Sequence, residues 1–519
     1  MVRSSLRTTA LALLIPALAA AQTPRELQRA AEGITPAKVK ARITTLAHDS
    51  MGGRNTPSPH LEKAAIWLAD QYKKFGLQPA GENGTYFQRY SLVTRRYNPA
   101  TSTVTADNAG AISSWTLDSP FAYATGPKVA GPISGPVVLL GGAMTAKDAA
   151  TLDLAGKVAV VVHDQARAAD WVQAMRTIRS KRPLAILMVT NQAPQAFGQM
   201  RRVRGNGQQT LEGMPSTAVP EVTLHDSLLA GDPNRATQPD WAAIRASTVP
   251  VVQLAPTEVL VTFDLRDEEL KRVSAPNVVA MLPGSDPTLK NEYVVYSSHF
   301  DHVGIVGDGV GGCSIRREFP ADSICNGADD DASGTTGLVM MAEAFASLKT
   351  KPKRTVVFLN VSGEEKGLLG SAYYGEKPTL PMAQTVANLN FDMIGRNNQD
   401  SIVVIGKEHS DLGTTLAKVN GRHPELKLTT ADDIWPEERF YFRSDHYNFA
   451  RKGVPILFFF NGVHEDYHQT TDHPEKIDYL KLSKVAKIGF YLGAEIANSA
   501  ARPQWNPESY KEIVQGPGR

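Results

Sequence analysis

Six clusters of acids and histidines lie between Glu292 and Thr471. They are His299-Phe-Asp301, Asp329-Asp330-Asp331-Ala-Ser-Gly334, Glu364-Glu365, Asn390-Phe-Asp392, Ser444-Asp445-His446 and Tyr467-His468. Imidazole nitrogen and carboxylate oxygen are the donors that catalytic zinc sites use, and such sites leave positions open for water and substrate. Acids gathered in this number are tolerable together only around cations. The chemistry they would support is hydrolysis at a two-metal centre.

Several of the clusters follow apolar, β-branched runs. Tyr293-Val-Val-Tyr-Ser precedes His299, Thr355-Val-Val-Phe-Leu precedes the Glu pair, and Val386-Ala-Asn-Leu precedes Asp392. Runs of that length read as buried strands. Functional groups of open α/β sheets gather outside the carboxyl ends of such strands. From Asn277 onward strand and helix patterns alternate, which predicts a mainly parallel mixed sheet with helices on both faces, an α/β fold. Helices are expected at Thr335 to Leu348, Ser410 to Asn420 and Lys481 to Asn498. Earlier in the chain, residues 36 to 50 read as helical. Leu61 to Phe75 reads as an amphipathic helix stopped by Gly76. From about Tyr97 short β-like pieces take over, among them Pro136-Val-Val-Leu-Leu, Lys157-Val-Ala-Val-Val-Val, Ala185-Ile-Leu-Met-Val and Val251-Val-Gln-Leu, with one helical stretch at Ala169 to Arg179.

At 519 residues the chain is too long for one ordinary core, so two domains are expected. A hydrophobic fraction of 42% and a charged fraction of 21% are those of a globular protein. The formal net charge is +2 with no basic stripe, which points away from nucleic acid and from anionic membranes. Residues 1–21 read as a signal peptide, with Arg3 and Arg7 before an Ala/Leu stretch and Ala19-Ala20-Ala21 as the cleavage region. That stretch is too short to span a bilayer and no later one reaches the roughly 18 to 20 apolar residues needed, so no membrane insertion is expected. The mature protein is expected to be exported, either periplasmic or secreted. In that compartment Cys313 and Cys325, the two cysteines of the chain, are expected to form one disulfide closing a loop.

Taken singly, each cluster has a plainer reading. His299 could be an ordinary hydrogen-bonded side chain, Asp329 to Asp331 a helix cap, and Glu364-Glu365 an acidic helix start. Together they resemble one family. Ser298-His-Phe-Asp-His-Val-Gly304, Asn326-Gly-Ala-Asp-Asp-Asp-Ala-Ser-Gly334, Ser362-Gly-Glu-Glu-Lys-Gly-Leu-Leu-Gly-Ser371, Asn390-Phe-Asp-Met-Ile-Gly395 and Tyr467-His-Gln-Thr-Thr-Asp472 resemble the motifs of the M28 zinc metallopeptidases, in the family's order. Leu46-Ala-His-Asp-Ser-Met-Gly-Gly-Arg54 resembles the family's N-terminal signature. The insert, with Leu154-Ala-Gly-Lys-Val-Ala-Val-Val-Val162 and Val219-Pro-Glu-Val-Thr-Leu224, resembles a protease-associated (PA) domain. The resemblance implies the zinc exopeptidase fold, with peptidase parts at 22–97 and 271–500, a β-rich PA-like insert at 98–270 and a polar C-terminal extension at 501–519.

The resemblance also implies roles. His299 and Asp392 would hold one Zn2+, Glu365 and His468 a second, and Asp330 would bridge the two. A cis peptide bond would follow at Asp330-Asp331. Asp301 would be the acid that orients His299 by accepting its second N–H. Glu364 would be the general base and acid, and Tyr467 a donor to the oxyanion. His302, His446, His464 and His473 match no ligand position.

Peptides are then the expected substrates, and the oligomeric state stays open. An aminopeptidase is favoured. Glu437 and Glu438, with Asp432 and Asp433, could hold a free α-amino group; Phe440 and Tyr441, with Trp435 and Phe442, could line an apolar pocket; and Asp445 is a further substrate-side candidate. Arg443 is the residue that keeps a carboxypeptidase of the glutamate carboxypeptidase type in competition. A glutaminyl cyclase or a receptor-like binding protein are the readings from other classes. The PA-like insert is not typical of the first, and the complete ligand set argues against the second.

Overall fold

The computed structural model describes residues 22–214, 218–234, 236, 238–307 and 312–516. The expected signal peptide, residues 1–21, lies outside the described residues. The chain divides into two compact units, one made of the described residues up to Gln88 and from Pro276 onward, the other of Arg89–Ala275.

In the first unit the strands run in the order Thr429–Ala431, Ser401–Ile405, Ile456–Phe460, Thr385–Phe391, Tyr293–His299, Thr355–Val361, and then the 276–282 end of the strand Asp267–Leu282. The central pairings are parallel, Tyr293–His299 with both Thr355–Val361 and Thr385–Phe391, and the latter with Ile456–Phe460. Antiparallel pairings flank them at Val278–Leu282 and at Val403–Ile405. The sheet is therefore mixed with a parallel centre, as the alternating pattern predicts.

Side-chain period two splits these strands between two cores. Val295, Val357, Leu359, Phe458 and Phe460 pack with Tyr374 and Phe449, which lie on the short helices Leu369–Glu376 and His446–Ala450. The intervening residues turn the other way. Tyr296 stacks on Phe358 and Phe391, and Phe345 and Phe490 join them from the helices Ala332–Ser347 and Tyr479–Asn498. Burial of both faces explains why the strands read as continuous apolar runs.

The helix starts follow from local chemistry. Thr35 accepts the Lys38 N–H ahead of Pro36–Leu46, and Ser58 accepts that of Leu61 ahead of Pro59–Lys74, each with proline in the first turn. Gly76, at φ 79°, follows the latter helix in the left-handed conformation expected of its C-terminal glycine. The helix expected over 36 to 50 instead ends at Leu46. Asp49–Arg54 forms a 3-10 turn in which Gly52 and Gly53 both take positive φ. The polar tail carries a helix, Pro507–Ile513, that the sequence pattern does not show. It is tied in by Trp505, whose Nε1–H donates to the Gly453 carbonyl at 2.9 Å.

The second unit has a sheet ordered Ala111–Thr116, Thr103–Asn108, Val259–Asp264, Ile133–Gly142, Val158–His163, Ala185–Thr190, Glu221–His225 and Ala122–Thr125, with Pro250–Leu254 paired to Ile133–Gly142. Its middle strands are parallel. The helix Ala168–Ser180 buries Trp171, Ala174, Met175 and Ile178 against Val138, Leu140, Val161 and Ile186.

Candidate metal centre

Three of the five expected ligands lie at or just past the carboxyl ends of the parallel strands. His299 is the last residue of Tyr293–His299, Asp392 follows Thr385–Phe391, and Glu364–Lys366 is a 3-10 turn just beyond Thr355–Val361. Asp330 sits in the turn before Ala332–Ser347, and its peptide bond to Asp331 is cis. That helix can begin so close to the Phe391 strand end because residue 334 is glycine. A Cβ there would meet the Phe391 carbonyl oxygen at 2.1 Å.

The two oxygens of Asp330 face different histidines. Oδ1 lies 3.2 Å from His299 Nε2, which is 3.5 Å from Asp392 Oδ1. Oδ2 lies 3.2 Å from His468 Nε2, which is 3.0 Å from Glu365 Oε2. His468 Nε2 and Asp330 Oδ2 are both buried, yet neither is in a hydrogen bond. Atoms so placed can present lone pairs to a common cation. The donor set fits zinc.

Other groupings of the same cluster are possible. His299, Asp331 and Asp392, and separately His302, Asp330 and Glu365, each offer atoms within 4.8 Å of one another. Asp331 Oδ2 and His302 Nε2 are likewise buried without a hydrogen-bond partner. Asp331 Oδ1 accepts the N–H groups of Gly334 at 2.7 Å and Met393 at 3.1 Å, and His302 Nδ1 lies 2.8 Å from Glu365 Oε1.

His302 is a contributor that the sequence motifs leave unassigned. Its signal would have been its place three residues after His299, beyond a strand end. Two more supports reach the cluster through backbone. Asp472 accepts the N–H groups of Asp329 and Asp330 at 3.0 and 3.1 Å. Arg54, fully buried, donates to the carbonyls of Leu46, Phe300, Asn326 and Gly327 at 2.7 to 2.9 Å. Burial lowers its pKa, while Asp301, Asp330, Asp331 and Asp472 act to raise it.

Asp301 lies beside His299 but does more than face it. His299 Nδ1 is 3.2 Å from the Asp301 backbone oxygen and 3.6 Å from Oδ1. The carboxylate accepts the Gly363 N–H at 2.7 Å and the Thr56 hydroxyl at 2.8 Å. On the other flank, Asp392 Oδ2 accepts the Ser444 hydroxyl at 2.8 Å, and Ser444 is in turn held by Asn390 at 3.1 Å.

Glu364 is half-buried beside these groups. Burial, together with the charges of Glu365, Asp445 and Asp392, pushes its carboxyl well above the usual range, against the opposing effect of His299. Tyr467 packs its ring on that of His468 at 3.9 Å between centroids. Burial and the nearby carboxylates of Asp330, Glu365 and Glu364 hold its phenol protonated, so it can donate.

A pocket beside the cluster is lined by Met393, Phe440, Arg443, Phe458, Phe460, Val463 and Tyr467, along with His299, Asp330, Glu364, Asp392 and Ser444. Of the substrate-side candidates, the structure brings Phe440 and Arg443 to this pocket. Tyr441 does not line it, because its ring packs against His409 and His446. Glu437 and Glu438 are exposed outside it, with Glu438 3.1 Å from Arg443. Asp445 is fully buried behind it, and burial pushes its carboxyl up to about 7. Cys313 and Cys325 are joined in a disulfide.

Residues 277–492 match the family model of Peptidase family M28. It is 29% identical over 277 residues to a probable zinc metalloprotease of Pyricularia oryzae, covering 44% of this chain and 52% of the relative. It is 28% identical over 234 residues to a probable leucine aminopeptidase of Arthroderma benhamiae, covering 43% and 58%. The chain thus spans about half the length of the curated relatives it matches. Among solved structures, an aminopeptidase from Aneurinibacillus sp. strain AM-1 is similar at 20% identity and a TM-score of 0.48, over 93% of this chain and 98% of that one. Among the described residues, no helix is long and apolar enough to cross a membrane.

Proposed function

We propose that the chain is an exported exopeptidase with two zinc ions that removes N-terminal residues from peptides. The observation that carries this reading is the division of Asp330, with one carboxylate oxygen toward His299 and Asp392 and the other toward His468 and Glu365. Those five residues would hold the metal. When bound, zinc acidifies a water and neutralises charge building on the substrate carbonyl.

The chain's own residues do the rest. Glu364 sits half-buried next to Glu365 without being a ligand, so it can take the proton of the attacking water and return it to the leaving amine. Tyr467, kept protonated, donates to the oxyanion. Asp301 and Ser444 keep the ligands in place, since carboxylates and hydroxyls behind ligands fix their orientation. Phe440, Phe458, Phe460 and Met393 offer an apolar wall for the first side chain. The unit Arg89–Ala275 is read as the PA-like insert on the residues 154–162 and 219–224 that carry that resemblance.

Arg443 at the pocket favours one second reading, a carboxypeptidase that holds a terminal carboxylate. A panel of one peptide in free, N-acetylated and C-amidated forms, followed by mass spectrometry, separates the two. An aminopeptidase cleaves the free and amidated forms and spares the acetylated one. Cleavage that survives acetylation and is lost on amidation would replace this reading with the carboxypeptidase.

A further inference from the structure

We propose that the Cys313–Cys325 disulfide is a positioning device for His468, holding a loop against the backbone of that residue. The proposal rests on reading His468 as a metal ligand.

His299 needs no such help, because it ends a buried strand and is 1% exposed. His468 lies in irregular chain, its side chain 25% exposed, with φ at 57°. A residue bearing a Cβ adopts that left-handed conformation at a cost, so neighbours must hold it there. The neighbours come from the disulfide loop. The Ser314 N–H donates to the His468 carbonyl at 3.1 Å, and the Thr470 N–H donates to the Ser314 carbonyl at 3.0 Å, so Ser314 pairs with Gln469, the residue after the ligand, and fixes the His468 carbonyl. Cys325 Sγ lies 3.7 Å from the same His468 oxygen. This is a packing contact, since a disulfide sulfur carries no hydrogen. Arg316 adds a bond from Nη2 to the Glu465 carbonyl at 2.5 Å.

One end of the loop is anchored independently of His468. Cys325 is fully buried, its N–H donates to the Gly304 carbonyl at 3.0 Å, and the Gly304 N–H donates to Gly53 at 3.1 Å. The other end, Cys313, is 12 residues away in sequence. Without the covalent link Ser314 would belong to a long excursion free to leave His468, because an open loop gains conformational entropy. The disulfide therefore transmits the fixed position of Cys325 through Ser314 to the ligand.

The test is zinc binding by the mature chain, titrated against a chromogenic chelator, for wild type, C313S/C325S, S314P and H468A. Ser314→Pro deletes the N–H that reaches His468 while leaving the disulfide, which covers the case in which the double variant fails to fold. The expected result is that C313S/C325S and S314P each weaken one zinc at least tenfold and leave the other at wild-type affinity. H468A should weaken that same zinc. If H468A weakens one zinc while both loop variants bind as wild type does, the proposal is overturned. Equal weakening of both ions in C313S/C325S, with S314P unchanged, overturns it too, because that marks a general staple. If H468A itself leaves both affinities unchanged, the reading of His468 as a ligand fails instead.

Discussion

The Asp301 carboxylate accepts the Gly363 backbone N–H at 2.7 Å, tying the turn that carries Glu364 and Glu365 to the strand end that carries His299. One residue thereby sets the spacing between a ligand to each proposed ion and the proposed base. Asp301→Asn places an amide where two donors already converge, from Gly363 and Thr56. Zinc affinity should fall about 10- to 100-fold, the usual cost of losing such a support. Competition with a chelator measures it, and wild-type affinity would show that the turn holds its place unaided.

Glu364 and Glu365 should separate cleanly. Glu364→Gln removes the base, so turnover should drop by about 100-fold or more while zinc content stays near that of wild type. Glu365→Gln should lower zinc content as well. Metal analysis beside kcat decides it, and the reverse pattern would exchange the two roles.

Arg54→Met should destabilise the chain by about 3 to 5 kcal/mol, the scale for stripping a buried charge from its partners. Four carbonyls lose their donor, and the positive charge beside Asp301, Asp330, Asp331 and Asp472 disappears. Arg54→Lys should recover little, because an ammonium offers fewer donors in a different geometry. Urea unfolding of the metal-free variants checks both, and near-wild-type stability for Arg54→Met would refute the role.

His446 should make the fold acid-sensitive. Its Nε2 is 2.8 Å from the Tyr441 carbonyl and its ring stacks on Phe458, while burial pushes its pKa down to about 3. An unfolded histidine titrates near ~6.5. Between those values the unfolded chain binds the extra proton, so this contribution is complete above ~6.5 and is lost as the pH falls. From pH 7 to 5 the loss from this one group is about 2 kcal/mol. His446→Phe should be less stable at pH 7 yet show a pH dependence flatter by that amount, in unfolding of the chelated protein. An unchanged slope would mean the ring protonates in place.

The parallel centre of the sheet and the strand-end positions of the candidate ligands were legible because strands buried on both faces leave long apolar runs, with each acid or histidine just past the end. His302, Asp472 and Arg54 were not, because they act on Glu365, on backbone N–H groups and on carbonyls that only the tertiary fold brings near. Tyr441 was misplaced for a local reason. Phe440–Phe442 is a 3-10 turn, so adjacent rings diverge, Phe440 reaching the pocket and Tyr441 the buried side of His446. The helix expected to 50 stops at Leu46 because Gly52 and Gly53 turn the chain so that Arg54 enters the core.

The claim on which the account depends is that Asp330 is shared between two ions. Diffraction from zinc-loaded crystals on either side of the zinc absorption edge locates those ions without reference to activity. The expected result is two anomalous peaks roughly 3.5 to 4 Å apart, one against His299 and Asp392, the other against His468 and Glu365, with Asp330 touching both. A single peak, or peaks ligated by Asp331 or His302 in place of Asp330 and His468, would contradict it.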